Sequence, residues 1–377
     1  MPRNVPNPRI MFMKRPGDGP PVIGEHITLD TSRSIDLDNV PLNGGYLSKT
    51  LLISPEPATR ERMRDTKTPS YTTTLPLGKP VVGFGLVVVL RSEKDGIKPG
   101  DHLYGMTPFE AYTVQPYVEG LCQYSRVDAS RLIPVNGHQD TFDMDSLALQ
   151  VVPDPQGAFP WTRYCGILGV PGLSAFAGFE VYANAKEGET IYVSSGAGGV
   201  GSLVVQLAKM KGMKVIASAG SDDKVEYMKK LGADIAFNYK TTPVAEVLGE
   251  NPLDLYWDNV GGSQLEAAID ALKVHGRVIA CGSSGDYNLA YEDRPPVGYN
   301  TTLIFKKRLL INGFLISDLA PTMAPRFFSE IPALLATGKM TSEEHLVHGI
   351  ENWPTAFVDM LKGALPGGKP VVVVAQE

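Results

Sequence analysis

The spacing of apolar positions along the chain changes near residue 165. Before that point, short runs of apolar and β-branched residues are broken by proline and glycine, as in residues 80–92 (PVVGFGLVVVLRS) and the following 98–105 (KPGDHLYG). Runs of this kind between turn-forming residues are typical of β-strands. The first part of the chain is therefore predicted to be mostly β.

From about residue 169 to residue 337, apolar β-rich runs alternate with segments of helical periodicity. In chain order these are TIYVSS, SLVVQLAKMKG, KVIASAG, DDKVEYMKKLGA, IAFNY, LDLYWDNV, LEAAIDALKVHG and RVIACGSSG. Parallel strands need crossover helices and are buried on both faces, so this alternation predicts an α/β unit with a doubly wound parallel sheet. The tail, ENWPTAFVDMLKG and then KPVVVVAQE, predicts a helix and a closing strand.

A chain of 377 residues is longer than one hydrophobic core usually serves. The change of pattern divides it into residues 1–165, which are mostly β, residues 166–337, which alternate, and a carboxyl-terminal part of residues 338–377. Residues 136–160 are rich in Pro and Asp and have weak periodicity, so they are predicted to form a surface connection near the first boundary.

The amino-acid composition of the chain limits which classes of partner and which cellular location are expected. The chain has 41 acidic and 35 basic residues and no long basic run, which argues against nucleic acid or an anionic membrane and favours a small-molecule partner. No run of about 20 apolar residues exists, and the proline-broken amino terminus lacks a signal-peptide core, so a cytoplasmic location is expected. Cys122, Cys165 and Cys281 are far apart, which excludes a disulfide framework or a four-cysteine zinc lobe.

A glycine-rich stretch lies between a predicted strand and a predicted helix. Residues 196–201 read GAGGVG, which matches G-x-G-x-x-G after TIYVSS and before SLVVQLAKMKG. Glycines permit the tight turn and the close approach of a pyrophosphate, whose charge is met by free N–H groups at the helix start. The stretch predicts a dinucleotide site, although a glycine turn that serves packing alone is the alternative.

The next strand favours NADP over NAD. An NAD site usually has an acidic residue at the end of this strand to hold the ribose hydroxyls, whereas residues 219–221 here are Ala, Gly and Ser. Lys224 follows shortly afterwards and offers a cation for a ribose phosphate. The alternative is that Lys224 is an ordinary solvated lysine.

Eight ordered motifs resemble the zinc-independent medium-chain reductases of the leukotriene B4 dehydrogenase, prostaglandin reductase and plant double-bond reductase group. They are GVPGLSAFAGF (169–179), GAGGVGS (196–202), AGSDDK (219–224), FNYK (237–240), DNVGG (258–262), CGSSGDYN (281–288), NGFLI (312–316) and ENWPTAF (351–357). The resemblance covers most of the chain. It implies a GroES-like β domain beside a Rossmann domain, with residues 338–377 returning to the first, and a homodimer formed through an edge near residues 308–317.

The resemblance also assigns residues to the cofactor. Those implied for the pyrophosphate are Gly198, Gly199, Val200 and Gly201, and those implied for the 2′-phosphate are Lys224 and Tyr239. Those implied for the ribose and nicotinamide are Asn259, Cys281, Gly282, Ser283, Ser284, Gly285, Asp286, Tyr287, Phe314, Leu315 and Ile316.

Tyr287 is the candidate catalytic residue. It follows the predicted strand RVIACG, so it lies near the carboxyl end of that strand, where doubly wound sheets bind their ligands. A phenol there could stabilise a developing enolate or help to deliver a proton. The alternative is an aromatic wall that only packs against nicotinamide.

Two motifs depart from the family pattern. The D-P-Y-M-R motif reads EPATR at residues 56–60, which removes an aromatic that often lines the substrate pocket. The G-x-N-x-G-K motif reads GALPGGK at residues 363–369, without the asparagine that contacts the cofactor. The preferred substrate therefore stays open.

The histidine and cysteine pattern predicts no metal site. Zinc dehydrogenases need Cys and His ligands around an open coordination position. His26, His102 and His138 lie far apart, with neither a GHE motif nor a partner cysteine nearby. The other three, His275, His345 and His348, lie in helical or loop contexts, so all six are expected to be structural or solvated. A site without a Lewis acid is better suited to hydride addition to a polarised alkene than to dehydrogenation of a simple alcohol.

These features predict an NADPH-dependent ene-reductase that acts on α,β-unsaturated ketones or aldehydes. A quinone oxidoreductase of the same architecture is the alternative among enzymes. A non-catalytic NADPH-binding sensor or crystallin-like protein is the alternative of another class, although the intact GDYN and DNVGG motifs argue against it.

Overall fold

The computed structural model describes residues 3–67, 70–116, 148–289 and 301–376. The strands are β1 (Asn4–Pro6), β2 (Arg9–Phe12), β3 (Ile27–Asp30), β4 (Ser34–Asp36), β5 (Tyr46–Ile53), β6 (Lys79–Pro80), β7 (Val82–Ser92), β8 (His102–Pro108), β9 (Tyr112–Gln115), β10 (Gln150–Val151), β11 (Thr190–Val193), β12 (Lys214–Ala219), β13 (Ile235–Asn238), β14 (Leu253–Asp258), β15 (Leu272–Ala280), β16 (Leu310–Gly313), β17 (Glu344–His348) and β18 (Lys369–Val373). The helices are α1 (Ala58–Glu61), α2 (Val170–Gly178), α3 (Gly201–Met210), α4 (Asp222–Lys230), α5 (Val244–Gly249), α6 (Gly262–Ala271), α7 (Thr301–Lys307), α8 (Ile316–Ala336) and α9 (Trp353–Leu361).

The first part of the chain folds around a seven-stranded sheet. The strand order is β10-β8-β7-β5-β18-β17, and β9 also pairs with β5. The long strands β5, β7 and β8 pair antiparallel, while β18 arrives from the carboxyl-terminal part and pairs antiparallel with β5. Helix α9 covers this region through Trp353 and Phe357, which pack in one buried cluster with Phe12, Ile53 and Phe109. Residues near the carboxyl terminus thus complete the core that the first half begins.

The alternating part of the chain forms a six-stranded sheet in which every described pairing is parallel. Its order is β13-β12-β11-β14-β15-β16, so the chain winds outward from β11 in one direction and returns to β14 on the other side. The reversal between β11 and β14 creates the crevice in which doubly wound sheets bind ligands. The predicted α/β fold class, a GroES-like mostly-β domain beside a Rossmann domain, is confirmed.

One predicted element has a different boundary. LEAAIDALKVHG was expected to be helical throughout, but α6 ends at Ala271 and residues 272–276 begin β15. Leu272 takes an extended backbone and pairs with Leu253, and its side chain is buried. Burial of this leucine against the sheet outweighs the weak local preference for one more helical turn.

The strands before residue 165 and after residue 337 belong to other sheets than the strands between them, which agrees with the predicted domain division. The exact domain boundaries stay a prediction. Of the connection 136–160, residues 136–147 lie outside the described residues, and Gln150 and Val151 form β10 at the edge of the seven-stranded sheet. None of the helices in the described parts of the chain is long and apolar enough to cross a membrane.

Candidate active site

A cleft of about 530 Å³ opens between the two domains. Its lining comes from both sides, with Ala58 and Tyr71 from the β-rich domain and Asn259 and Tyr287 from the parallel-sheet domain. The cleft lies at the carboxyl ends of the central parallel strands, at the switch point of the sheet. The fold therefore places side chains of two domains around one space that can hold a ligand.

The glycine-rich turn forms one wall of this cleft. A Cβ built on Gly201 would lie 2.3 Å from the backbone oxygen of Ser195, and one built on Gly196 would lie 2.8 Å from the Cβ of Ala217. These two glycines are therefore required by the tightness of the turn. A Cβ on Gly198 would meet only Ser195, at 3.3 Å and beyond, so the backbone at Gly198 is accessible from the cleft. This cradle, followed by the start of α3, fits a diphosphate.

Asn259 fastens the glycine-rich turn to the end of β14. Its Nδ2 donates to the backbone oxygen of Ser194 at 2.7 Å, and its backbone N–H donates to the Ser194 Oγ at 2.9 Å. The indole Nε1 of Trp257 donates to the Asn259 Oδ1 at 3.1 Å. Asn259 lines the cleft, but its amide is committed mainly to holding the turn in place.

Two polar side chains lie against Gly220, which follows β12, and Lys224 lines the same part of the cleft. A Cβ built on Gly220 would lie 3.0 Å from the phenol oxygen of Tyr239 and 3.1 Å from the Cε of Lys240. The Lys224 Nζ donates to the backbone oxygen of Gly363 at 2.9 Å. Burial lowers the pKa of Lys224, and the charge of Lys240 lowers it further, against the opposing effect of Asp223. Two ammonium groups thus lie close together here.

Lys240 was missed by sequence reasoning. It lines the same cleft as Lys224 and Tyr239 and is exposed. Its position directly after Tyr239 in the FNYK motif was the signal that could have identified it. A second cation near the first makes this part of the cleft well suited to a phosphate group.

Two phenols, those of Tyr71 and Tyr287, line the cleft. Burial raises the pKa of Tyr287, and the neighbouring Tyr71 and Cys281 raise it further. Burial likewise raises the pKa of Tyr71 to about 12 and, together with the charge of Asp258, that of the Cys281 thiol to about 12. Both phenols therefore keep their protons at neutral pH and can act as hydrogen-bond donors. No local sequence signal marks Tyr71, which reaches the site only through the packing of the two domains.

Most of the predicted cofactor residues line this one cleft. They are Gly198, Gly199, Val200, Gly201, Lys224, Tyr239, Asn259, Cys281, Gly282, Ser284, Gly285, Tyr287, Phe314, Leu315 and Ile316. Ser283 and Asp286 are not among the lining residues; the backbone N–H of Asp286 donates to the Ser283 oxygen at 2.9 Å and closes the local turn. Both departing motifs reach the cleft, through Ala58 and Thr59 and through Gly363, Leu365 and Pro366.

Among residues 3–67, 70–116, 148–289 and 301–376, no group of three or more His, Cys, Asp or Glu side chains is placed to hold a metal ion. His102 stacks on Trp161, with ring centroids 3.9 Å apart, and the His26 Nδ1 accepts a hydrogen bond from the Val22 N–H at 2.8 Å. His138 and Cys122 lie outside the described residues.

A mostly-β domain beside a six-stranded doubly wound sheet, with a glycine-rich turn facing the cleft between them, defines a two-domain oxidoreductase of the medium-chain type. Residues 199–332 match the family model described as zinc-binding dehydrogenase, and residues 30–121 match the N-terminal domain of oxidoreductase.

Similarity to individual proteins indicates which group within this family the chain resembles. The chain is 33% identical to the NADP(+)-dependent 2-alkenal reductase of Nicotiana tabacum over 334 residues, 87% of each chain. It is 33% identical to the (+)-pulegone reductase of Mentha piperita over 342 residues, 89% of each chain. Among solved structures, CurA from Vibrio vulnificus in complex with NADPH superposes with a TM-score of 0.79 and 27% identity, covering 98% of this chain and 100% of that chain. The chain belongs to the zinc-independent medium-chain dehydrogenase/reductase family, in its enone-reductase group, as its motifs indicated.

Proposed function

We propose that this protein is an NADPH-dependent ene-reductase, which reduces the carbon–carbon double bond of α,β-unsaturated ketones or aldehydes by hydride transfer to the β-carbon. The observation that carries the proposal is one cleft that joins a diphosphate-accepting turn, a pair of ammonium groups and a protonated phenol. The names of the tobacco and mint relatives, reductases of 2-alkenals and of pulegone, support the same reaction class.

The residues of this chain fit NADPH. The turn from Gly198 to Gly201 would hold the diphosphate, and Lys224 with Tyr239 would hold the 2′-phosphate. The cofactor, when bound, supplies a hydride, and its nicotinamide changes from neutral to positively charged as it does so. The remaining predicted residues, which are Asn259 and the segments 281–287 and 314–316, would surround the ribose and nicotinamide. Of these, Ser283 and Asp286 do not line the cleft and would support the lining residues.

Tyr287 would act on the substrate. Hydride addition to the β-carbon moves negative charge onto the carbonyl oxygen, and a fixed O–H donor stabilises that charge most where water is excluded. Because burial raises the pKa of Tyr287, its phenol is protonated and can donate to this oxygen. The proton that completes the reduction at the α-carbon would come from this phenol or from water.

The reaction is tested with purified protein, NADPH and a panel of enones, enals and quinones, by following the loss of cofactor absorbance. With deuterium at the transferred position of NADPH, mass spectrometry or NMR of the product should find the label at the β-carbon. Preference for quinones over every enone would instead identify a quinone oxidoreductase. Tight NADPH binding without turnover of any substrate would identify a non-catalytic binding protein.

We also propose a homodimer formed through β16. This strand is the last of the six-stranded sheet, and Leu310 and Ile311 on it are 61% and 44% exposed. An exposed apolar edge strand can pair with the same strand of a second copy, which satisfies its main-chain groups and buries its side chains. Light scattering after gel filtration should give twice the chain mass, and Leu310→Lys should shift it toward the monomer. A monomer at every wild-type concentration would contradict the proposal.

A cytoplasmic location is proposed on composition and on the cysteines. Cys165 and Cys281 are free thiols, and unpaired cysteines are typical of a reducing compartment. Fractionation of cells that express the chain should place it with other cytoplasmic proteins, and recovery in a membrane or secreted fraction would contradict this proposal.

A further inference from the structure

Asp258 is a buried carboxylate at the end of β14. Asp258 is only 3% exposed, and its side-chain Oδ1 accepts three hydrogen bonds. The donors are the backbone N–H of Val260 at 3.0 Å, the backbone N–H of Gly261 at 2.7 Å and the phenol of Tyr256 at 2.7 Å. All three bonds would also form to the Oδ1 of an asparagine, so local geometry does not require a charge at this position.

The charge of Asp258 has no cationic partner within the parts of the chain that the structure describes. No Lys, Arg or His there forms an ion pair with it. Burial raises the pKa of Asp258, its three hydrogen bonds favour the ionised form, and the second carboxylate, Asp286, raises the pKa again. Asp286 lies beside the same turn, with its Oδ2 4.0 Å from a Cβ built on Gly261. Burying a charge without a partner is costly. Among the described residues, the buried Asp258 carboxylate, with the partly exposed Asp286 beside it, therefore suggests a ligand that completes the balance.

Asp258 lies directly behind one wall of the cleft. The two residues after it, Asn259 and Val260, line the cleft. Its backbone oxygen accepts the N–H groups of Cys281 at 2.9 Å and of Gly282 at 3.1 Å, and both of these residues also line it. This is the wall formed by the ends of β14 and β15, where the nicotinamide is expected under the proposed function.

On the basis of that function, we propose that Asp258 is a buried counter-charge for the oxidised nicotinamide. A hydride carries one proton and two electrons from the ring to the β-carbon, which leaves one positive charge on the ring and one negative charge on the substrate. Coulomb attraction acts through the intervening residues without direct contact, and it is weakly screened in a buried site. Asp258 would therefore stabilise bound NADP⁺ relative to bound NADPH and make the reduced cofactor a stronger hydride donor. Asp286 would add a smaller effect of the same sign.

The test uses Asp258→Asn in the full-length protein, because this change removes the charge and keeps the Oδ1 acceptor. Dissociation constants for NADP⁺ and for NADPH are measured by titration calorimetry without substrate. The ratio of the NADP⁺ constant to the NADPH constant should rise by roughly three- to thirtyfold, the order expected for one charge at an effective dielectric constant of about 20. Asp286→Asn should raise the same ratio by less.

Tyr256→Phe is the control for the loss of one hydrogen bond at Oδ1, since the two backbone N–H donors from Val260 and Gly261 still favour the ionised form; its ratio should stay near the wild-type value. Circular dichroism checks that the variants fold. If Asp258→Asn does not fold, Asp258→Ser replaces it, because the serine hydroxyl can still accept a turn hydrogen bond. Asp258→Ser should raise the same ratio. An unchanged ratio, including equal weakening of both cofactors, would overturn this inference and leave the proposed function intact. A wild-type protein that binds neither cofactor would contradict the proposed function itself.

Discussion

Lys224 joins the two sides of the cleft at the position expected for the 2′-phosphate. Its ammonium donates to the backbone oxygen of Gly363 at 2.9 Å, which holds the side chain beside Tyr239 and Lys240 without using all three of its N–H donors. A cation that is oriented before the ligand arrives loses less side-chain entropy on binding.

Lys224→Ala should weaken NADPH far more than NADH, because a charge-assisted contact to the extra phosphate is lost. The expected loss is about 1.5–3 kcal/mol, or roughly ten- to more than a hundredfold in the dissociation constant. Calorimetric titration with both cofactors measures it. Tyr239→Phe should act in the same direction more weakly, since it removes one neutral donor.

Lys230→Ala on the same helix, α4, is the matched control for Lys224→Ala, because Lys230 is exposed and does not line the cleft. It should leave both cofactors unaffected. Equal weakening of NADPH and NADH by Lys224→Ala would show that Lys224 supports the fold of this region and does not read the phosphate.

Tyr287→Phe should keep NADPH binding and lower turnover by roughly 10- to 1000-fold, the range expected for the loss of one oxyanion donor or general acid. Steady-state rates with several enones measure this effect. Because burial raises the pKa of Tyr287, the wild-type phenol should stay protonated up to at least its ordinary pKa of about 10. Turnover between about pH 6 and pH 9 should therefore not fall through loss of this proton.

Tyr182→Phe is a control for phenol removal, since Tyr182 packs against Phe314 outside the cleft lining, with ring centroids 5.9 Å apart. It should retain near wild-type turnover. Unchanged turnover in Tyr287→Phe with every enone tested would reassign Tyr287 to packing and leave the cofactor ribose and water as the proton route.

At the scale of elements, the turn between β11 and α3 leaves no room for a side chain at Gly201. Gly201 begins α3 and faces the backbone of Ser195 so closely that a methyl group cannot be accommodated without movement of the main chain. Ser195 itself has a left-handed backbone with φ of 52°, which is part of the reversal. Asn259, which follows β14, holds the turn through its hydrogen bonds to Ser194, which follows β11. The shape of the turn therefore depends on the ends of both strands.

Gly201→Ala should lower both stability and NADPH affinity, since the added Cβ would lie 2.3 Å from the Ser195 oxygen. Forcing an extra methyl group into a tightly packed position costs about 1–3 kcal/mol. Urea unfolding gives the loss of stability, and calorimetry with NADPH gives the loss of affinity.

Gly249→Ala, at the end of α5, is the control for this glycine change. No heavy atom lies within 4 Å of its added Cβ, and the residue is helical. It should be neutral or stabilise the fold by up to about 1 kcal/mol, because alanine restricts the unfolded chain more than glycine does. A Gly201→Ala protein as stable and as tightly binding as this control would contradict the close contact.

At the scale of the whole molecule, Lys369 links the carboxyl-terminal part to the first domain at the cleft, which both Lys369 and Glu56 line. Its Nζ lies 3.5 Å from the Glu56 Oε1, donates to the backbone oxygens of Pro55 and Pro370, and is buried. Burial lowers the pKa of Lys369, and Glu56 opposes this effect. The Gly368 N–H next to it donates to the Ala197 oxygen of the glycine-rich turn at 3.0 Å, so this point connects both domains.

Lys369→Met should destabilise the protein by up to about 3–5 kcal/mol, since it leaves the partly buried Glu56 carboxylate without its cation. The free energy of unfolding in urea measures this. The double variant Glu56→Gln with Lys369→Met should recover part of the loss, while Lys339→Met, at an exposed position, should change little. A Lys369→Met loss no larger than that of Lys339→Met would show that the pair contributes nothing to stability.

The local pattern of residues was sufficient for the α/β fold class and for part of the proposed cofactor site. Strand and helix periodicity depend only on near neighbours, so the alternation between residues 169 and 337 predicted the parallel sheet. The GAGGVG turn, Lys224 and Tyr287 were identified from their places after predicted parallel strands, whose carboxyl ends lie at one edge of the sheet. The other proposed cofactor residues were identified only by the resemblance to the family. The extent of α6 was missed, since the burial of Leu272 depends on β14.

Only the tertiary structure brought together residues from distant parts of the chain. Tyr71 faces Tyr287 because the β-rich domain closes against the parallel sheet, and no short-range pattern encodes that approach. The burial of Asp258 and the pairing of Lys369 with Glu56 likewise depend on strand order, which sets which side chains share a low-dielectric interior. Charge in a sequence is visible at once, but its energetic consequence is set by the neighbours and solvent that folding provides.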